Sequence, residues 1–233
     1  MRLAQQVRLD DGGLPRVRRP DGVNATTFVH SYLKQLILDL KVSPDTLLTE
    51  MDVANATGLS RTPVHEAFLR LHEERLVDLL PRRGALITQI TARQVRELYD
   101  VRLLLETHAA RLICQERIDQ GDKLVSLVNE QNELYQRGAD APALIAVDRQ
   151  FHSTILALAG NTVMATVNDS LGNHHQRTGV LSFTLDRDRC RTAVEQHRHI
   201  TTALADFDLA TAERSLREHL VLGERELERL LAY

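Results

Sequence analysis

The apolar positions of residues 1–90 change their period twice. Phe28, Val29, Tyr32, Leu33, Leu36, Ile37 and Leu40 recur at steps of three and four. That spacing predicts one face of a helix beginning near Val23. Ser43-Pro44-Asp45 is a stop signal. Thr49 heads a short helical run, TEMDVANATG, which Gly58 closes where a chain turns left-handed. Ser60 is a capping residue and Pro63 a first-turn residue for a third helix carrying Val64, Phe68 and Leu71. Val77 to Leu80 and Ala85 to Ile90, around Pro81-Arg82-Arg83-Gly84, read as two short strands joined by a turn.

Beyond residue 90 the pattern is helical throughout. Thr91-x-x-Gln94 has the form of a capping box opening a long helix over 91–117. Further helices are expected at 120–137, 141–159 (Pro142 in its first turn), 162–184, 189–205 and 209–231, with a break at Gly160-Asn161. The fold class expected is mainly α. A helix–helix–helix–hairpin unit at 23–90 precedes an all-α antiparallel bundle at 91–233. Residues 1–22 carry five Arg among Gly12, Gly13, Pro15, Pro20 and Gly22, and read as a flexible basic arm or an inert leader.

Composition agrees with this picture and narrows it. Of 233 residues, 43% are hydrophobic and 26% charged, which excludes a disordered chain or a disulfide scaffold. With only 11 Gly and 6 Pro, breakers are scarce, as helices require. A net charge of −3 argues against a protein that coats nucleic acid indiscriminately. The charge is unevenly placed, however: residues 1–90 sum to +1 and residues 91–233 to −4. Cys114 and Cys190 suit a reduced, cytoplasmic chain. No apolar run reaches the roughly 18 residues of a membrane span, and the N-terminal residues lack the apolar stretch of a signal peptide. No membrane partner is expected.

Helix, short helix, tight turn, helix and hairpin is the order of a winged helix-turn-helix, in which the start of the third helix meets base edges in the major groove. Here that start is Ser60, Arg61, Thr62 and Pro63, followed by His65. Arg61 can donate two hydrogen bonds to a guanine, and Ser60 and Thr62 suit phosphates or a thymine methyl. Arg82 and Arg83, at the hairpin tip beside Gly84, suit phosphate or minor-groove contacts. Many small helical domains share this spacing, so the order alone is not decisive.

The run GLSRTPVHEAFLRLHEERLV followed by PRRGALIT is more specific. It resembles the GntR family of bacterial transcription regulators over residues 24–90. The resemblance implies that Arg61 stands at the family's base-reading position and Gly84 at its wing glycine. Two departures concern the operator sequence. His65 replaces a second Arg of the recognition helix, and Met51 stands where some relatives carry another DNA-contacting Arg.

The second constellation lies in the bundle. Asp148 and His152 are four apart on one helix, so a carboxylate and an imidazole share a face. His197 and His219 fall on two later helices whose separation suits an antiparallel pair. Together the four make a plausible divalent site, although an Asp/His pair on a helix is more often a surface ion pair and His197 or His199 could cap or pack. His199 points roughly 200° away from His197 on a helix.

Residues 91–231 resemble the FCD effector domain of the FadR subfamily through VRLLLETHAA, DRQFHSTILALAGN and EQHRHITTALADFDLATAERSLREHL. The resemblance implies metal ligands at Asp148, His152, His197 and His219, with Zn favoured and Ni, Mn or Fe within range. It also implies that Arg102 faces a pocket, where it can clamp a carboxylate. Glu106, His175 and Arg177 are further effector-site candidates, and His174 lies on the same stretch. The expected protein is a homodimeric regulator, a repressor released by its ligand, reading a palindromic double-stranded operator under control of a small organic acid bound beside the metal. A metal sensor without an organic effector is the alternative. A helical metallo-enzyme is a third, for which the sequence offers no general base or nucleophile motif.

Overall fold

A computed structural model describes residues 13–231, the side chain of Leu230 excepted. The chain divides into two compact units, passing from one to the other between Ile90 and Thr91.

The first unit consists of α1 (Ala25–Leu38), β1 (Leu47–Leu48), α2 (Glu50–Thr57), α3 (Arg61–Glu73), β2 (Val77–Leu80) and β3 (Gly84–Ile87). Val29, Leu33 and Ile37 of α1 meet Val64, Phe68 and Leu71 of α3 in its core. The first helix ends at Leu38, short of the expected Leu40. Leu40 is buried with φ 53, so the chain turns back into the core before Pro44 is reached. Gly58 takes φ 68 and bonds to the Ala54 carbonyl, closing α2. Ser60 holds the N-cap position of α3, but its hydroxyl makes no capping bond.

The sheet has a third strand that the alternation did not reveal. The two residues of β1 are too few to show a period. The order is β1-β3-β2, antiparallel, with Leu47 opposite Leu86 and Leu79 opposite Ala85. Gly84 makes the arrangement possible: its φ is 128, and a Cβ there would lie 2.1 Å from the Leu48 carbonyl oxygen.

Of the arm expected over 1–22, residues 1–12 lie outside the described residues. The remainder is anchored, contrary to expectation. Leu14 is buried in the core. The Tyr32 hydroxyl donates to the Pro15 carbonyl at 2.5 Å, and the Val17 amide donates to the Ala56 carbonyl at 2.9 Å. Arginine and proline dominate this stretch, and they obscured the single apolar anchor.

The second unit is all helical: α4 (Ala92–Glu116), α5 (Lys123–Gln136), α6 (Ala141–Leu158), α7 (Thr162–Ser170), α8 (Gly172–Leu185), α9 (Asp188–Ala205) and α10 (Leu209–Leu231). Both bonds of the Thr91/Gln94 capping box form. The single helix expected over 162–184 is two, broken at Leu171; the following Gly172-Asn173 are weak helix formers. α4 packs along α10, α6 against α4, α5 and α8, and α9 against α5 and α10. α8 comes very close to α6, because a Cβ on Gly179 would lie 2.1 Å from Ile145 Cδ1. Among the described residues, no helix is long and apolar enough to cross a membrane.

Candidate metal centre and nucleic-acid interface

The bundle interior is polar where α4, α5, α6, α8, α9 and α10 contribute to one cluster. Asp148, His152, His197 and His219 are all buried, on three different helices. One ligand atom from each of the three imidazoles lies within 4.8 Å of the other two. His197 Nε2 is 3.6 Å and His152 Nε2 3.7 Å from the Asp148 carboxylate. His152 and His219 face each other with their Nε2 atoms 3.3 Å apart.

Their outer nitrogens explain this convergence. His152 Nδ1 donates to Glu106 at 2.7 Å, His197 Nδ1 to Gln131 Oε1 at 3.0 Å, and His219 Nδ1 to Gln196 Oε1 at 2.8 Å. A carboxylate only accepts, so Nδ1 of His152 must carry the proton. The amides are oriented by their other partners. Gln131 Nε2 lies 3.3 Å from Asp148 Oδ1 and 3.5 Å from the Leu144 carbonyl, both acceptors. Gln196 Oε1 also accepts from Arg189, 3.3 Å away. Each ring thus holds its proton on the outside and turns a lone pair inward, the second-sphere arrangement that fixes histidines for a metal. His197 Nε2 is buried with no hydrogen-bond partner among the described residues.

The electrostatics point the same way. Burial pushes the imidazoles of His175 and His197 down to about 3. Burial, with His197 and His152 adding, holds His219 well below its ordinary range. Burial alone would raise the Asp148 carboxyl, but the bond from His175 and the nearby His152 and His197 outweigh it and keep it ionised. Its ion-pair partners are the histidines His152, His175 and His197, not Lys or Arg. A buried carboxylate with no Lys or Arg in direct contact among the described residues is suited to pair with a divalent ion. Three nitrogens and one oxygen suit Zn and other first-row divalent ions.

The effector candidates surround this cluster. Arg102 is buried and donates from Nε to Glu106 at 3.0 Å, while its Nη2 is buried without a hydrogen-bond partner among the described residues. Burial would raise the Glu106 carboxyl, yet His152 and Arg102 hold it at about 2. Glu106 is therefore bonded on one side to Arg102 and on the other to a ligand-type histidine. His175 lies 3.3 Å from Asp148. Arg177 is buried on α8, and burial brings its guanidinium down to about 10. His199 faces solvent and His174 is half-buried. Sequence reasoning missed Gln131, Gln196 and Arg189. They lie on α5 and α9, and no spacing rule ties an orienting amide to the ring it serves.

In the first unit, Ser60, Arg61, Thr62 and His65 are exposed, and Pro63 is half-buried. Arg61 and His65 of α3 line a groove of about 620 Å³ together with Arg82, Arg83 and Gly84 of the wing and Glu50 of α2. Arg82 takes φ 63 in the turn between the strands. The helix start and the hairpin tip, separated in sequence, thus form one basic surface. His65 Nδ1 bonds to Glu50 at 3.0 Å.

A winged helix-turn-helix with its basic groove, followed by a helical domain, defines a DNA-binding transcription regulator. Residues 25–87 match the bacterial regulatory proteins of the gntR family, and residues 97–222 match the FCD domain. The chain belongs to the GntR family of transcription regulators, in the FadR-like group that carries an FCD domain. It is 34% identical over 113 residues to an uncharacterised HTH-type regulator of Agrobacterium vitis, a stretch covering 47% of this chain and 66% of that protein. To the HTH-type transcriptional repressor RspR of Escherichia coli K12 it is 26% identical over 193 residues, 82% of this chain and 84% of that one. A solved GntR regulator structure from Rhodococcus sp. RHA1 matches with a TM-score of 0.73 at 25% identity, covering 89% of this chain and 98% of that one. These relatives are regulators, not enzymes. FCD domains bind metals, and the cluster of His152, His197 and His219 could hold an ion.

Proposed function

We propose that this chain is a repressor whose operator affinity is set by a small carboxylic acid bound beside a divalent ion in the helical domain. The observation that carries the reading is the convergence of three imidazole lone pairs, each fixed from behind by an acceptor, beside a buried carboxylate. Asp148, His152, His197 and His219 would hold the ion, with Zn the best match to the donor set. The ion supplies positive charge in the interior and positions for an anionic ligand. Arg102 offers the acid a buried guanidinium whose Nη2 has no hydrogen-bond partner among the described residues, and a planar fork is suited to a carboxylate. Glu106 and His175 orient Arg102 and Asp148, and Arg177 is assigned to the same site.

Operator reading falls to Arg61, with Ser60, Thr62, Pro63 and His65 beside it and Arg82, Arg83 and Gly84 in the wing. A homodimer would present two such readers to a palindrome. Repression accords with the role of the similar transcriptional repressor RspR. The acid can act only by binding one arrangement of the readers better than another.

The test is operator binding by the metal-loaded and chelated protein across a panel of short organic acids, alongside elemental analysis. About one divalent ion per chain is expected, lost in the His152→Ala/His197→Ala double variant. An ion fully retained there means the ligands are misassigned. An acid should weaken operator binding in the wild type but not in Arg102→Ala, whose ligand-free binding stays intact. If operator affinity follows metal alone and no acid alters it, the protein is a metal sensor and the acid site is wrong.

A further inference from the structure

We propose that Glu50 and His65 work as one reading unit, in which the carboxylate at the start of α2 fixes the imidazole on α3 so that Nε2 meets a base edge beside the base pair contacted by Arg61. This rests on the assignment of α3 as the reading helix and specifies how its second turn reads.

His65 lies four residues after Arg61, so the two side chains share a face of α3. Both line the groove shared with Arg82 and Arg83. The His65 side chain is 59% exposed, and its one hydrogen bond runs from Nδ1 to Glu50 Oε1 at 3.0 Å. The Glu50 carboxylate can only accept, so the proton sits on Nδ1 and the ring orientation is fixed. Nε2, which has no partner among the described residues, is then the atom available to DNA. In a neutral ring it accepts from the amino group of adenine or cytosine; in a doubly protonated ring it donates to guanine. In both states it reads a single base position in each half-site.

The anchor is itself well placed. Glu50 is the first residue of α2, directly after Thr49, and the Thr49/Asp52 capping box fixes that turn. The pairing also accounts for an anion in a groove that otherwise presents Arg61, Arg82 and Arg83. An unpaired carboxylate there would repel phosphate, whereas one bonded to an imidazole is partly neutralised. An arginine carries its own planar fork, but an imidazole has one outward nitrogen and needs a second residue to aim it. Sequence spacing could not show this, since Glu50 and His65 lie on different helices.

The experiment is selection of operators from a randomised library by the full-length protein and its variants, read as base preference at each position. Thermal unfolding confirms that each variant is folded. Wild type should show a position in each half-site with a preference of about fivefold or more that His65→Ala loses, while the Arg61-dependent position keeps its preference. Glu50→Ala should lose the same position as His65→Ala. Glu50→Gln, which keeps an acceptor but not the charge, should retain that preference and bind all sequences more tightly. If His65→Ala leaves every preference intact, the proposal is overturned. It is equally overturned if Glu50→Ala leaves the His65-dependent position unchanged. Failure of Arg61→Ala to alter any preference would instead remove the groove as the reading surface, a different failure from either of these.

Discussion

At the scale of single residues, the two functional surfaces depend on which atom carries a proton and which donor is free. Arg61 combines an exposed position at the start of α3 with five donors, so Arg61→Ala should weaken cognate operator binding by about 1–3 kcal/mol; titration by fluorescence anisotropy with unchanged affinity would refute its role. In the proposed metal site, the amides behind the imidazoles should matter almost as much as the ligands themselves. Gln131→Ala should lower metal affinity by roughly 10–100-fold while leaving all four ligands in place, measurable by competition with a chelator of known strength. An unaltered affinity would mean that His197 is held by packing alone. Asp148, His152, His197 and His219 could be singled out together because the resemblance to FCD domains points to a D-x-x-x-H step and a histidine on each of two later helices; spacing alone left an ion pair open. Gln131 and Gln196 were not, because an amide's partner is decided by how helices pack, and no periodicity encodes that. Glu50 escaped notice for the same reason.

At the scale of elements, the sequence was most readable where ends carry their own chemistry. Thr91/Gln94, Gly58 and Pro142 marked boundaries through local hydrogen bonding or backbone preference, and the helices beginning or ending there were foreseen to within a residue or two. The misreadings arose where tertiary contact decides. β1 exists because Leu47 and Leu48 pair with β3, and Leu14 is anchored because the core of the first unit accommodates it. The break between α7 and α8 falls before Gly172-Asn173, both weak helix formers; farther along, α8 lies close against α6 at Gly179. Gly179→Ala puts a methyl 2.1 Å from the buried Ile145 side chain. Alanine is the better helix former by about 1 kcal/mol, but forcing a methyl into a packed contact costs about 1–3 kcal/mol. Net destabilisation is therefore expected in denaturant unfolding, and Ile145→Ala in the same chain should relieve part of it. A stabilised single variant would show that α8 can retreat freely from α6.

At the scale of the whole molecule, charge and burial are divided between the units. The first is nearly neutral with Arg61, Arg82 and Arg83 gathered at the reader, and the second is acidic overall but keeps several of its ionisable groups in its interior. Those interior groups make stability depend on pH. His175 and His197 are pushed down to about 3, and His219 lower than its ordinary range, whereas the same side chains in an unfolded chain titrate near 6.5. Below about 6.5 the unfolded chain takes up protons that the folded one cannot. The metal-free protein should therefore be most stable above that pH and lose stability progressively as pH falls toward 3. Glu106, held at about 2 against an ordinary 4.5, adds a further loss below about 4.5. Thermal unfolding in the presence of chelator at pH 7.5 and 5.0 measures the first loss, and equal midpoints would contradict buried neutral imidazoles.

Glu106 carries one more consequence. Its two carboxylate oxygens serve different neighbours, one Arg102 and the other His152. A change at either neighbour is felt by the other through a single rigid group of three atoms. If an acid binds Arg102 and an ion binds His152 as proposed, the two would be occupants of one thermodynamic cycle, and each would alter the other's dissociation constant by an identical factor, whichever arrives first.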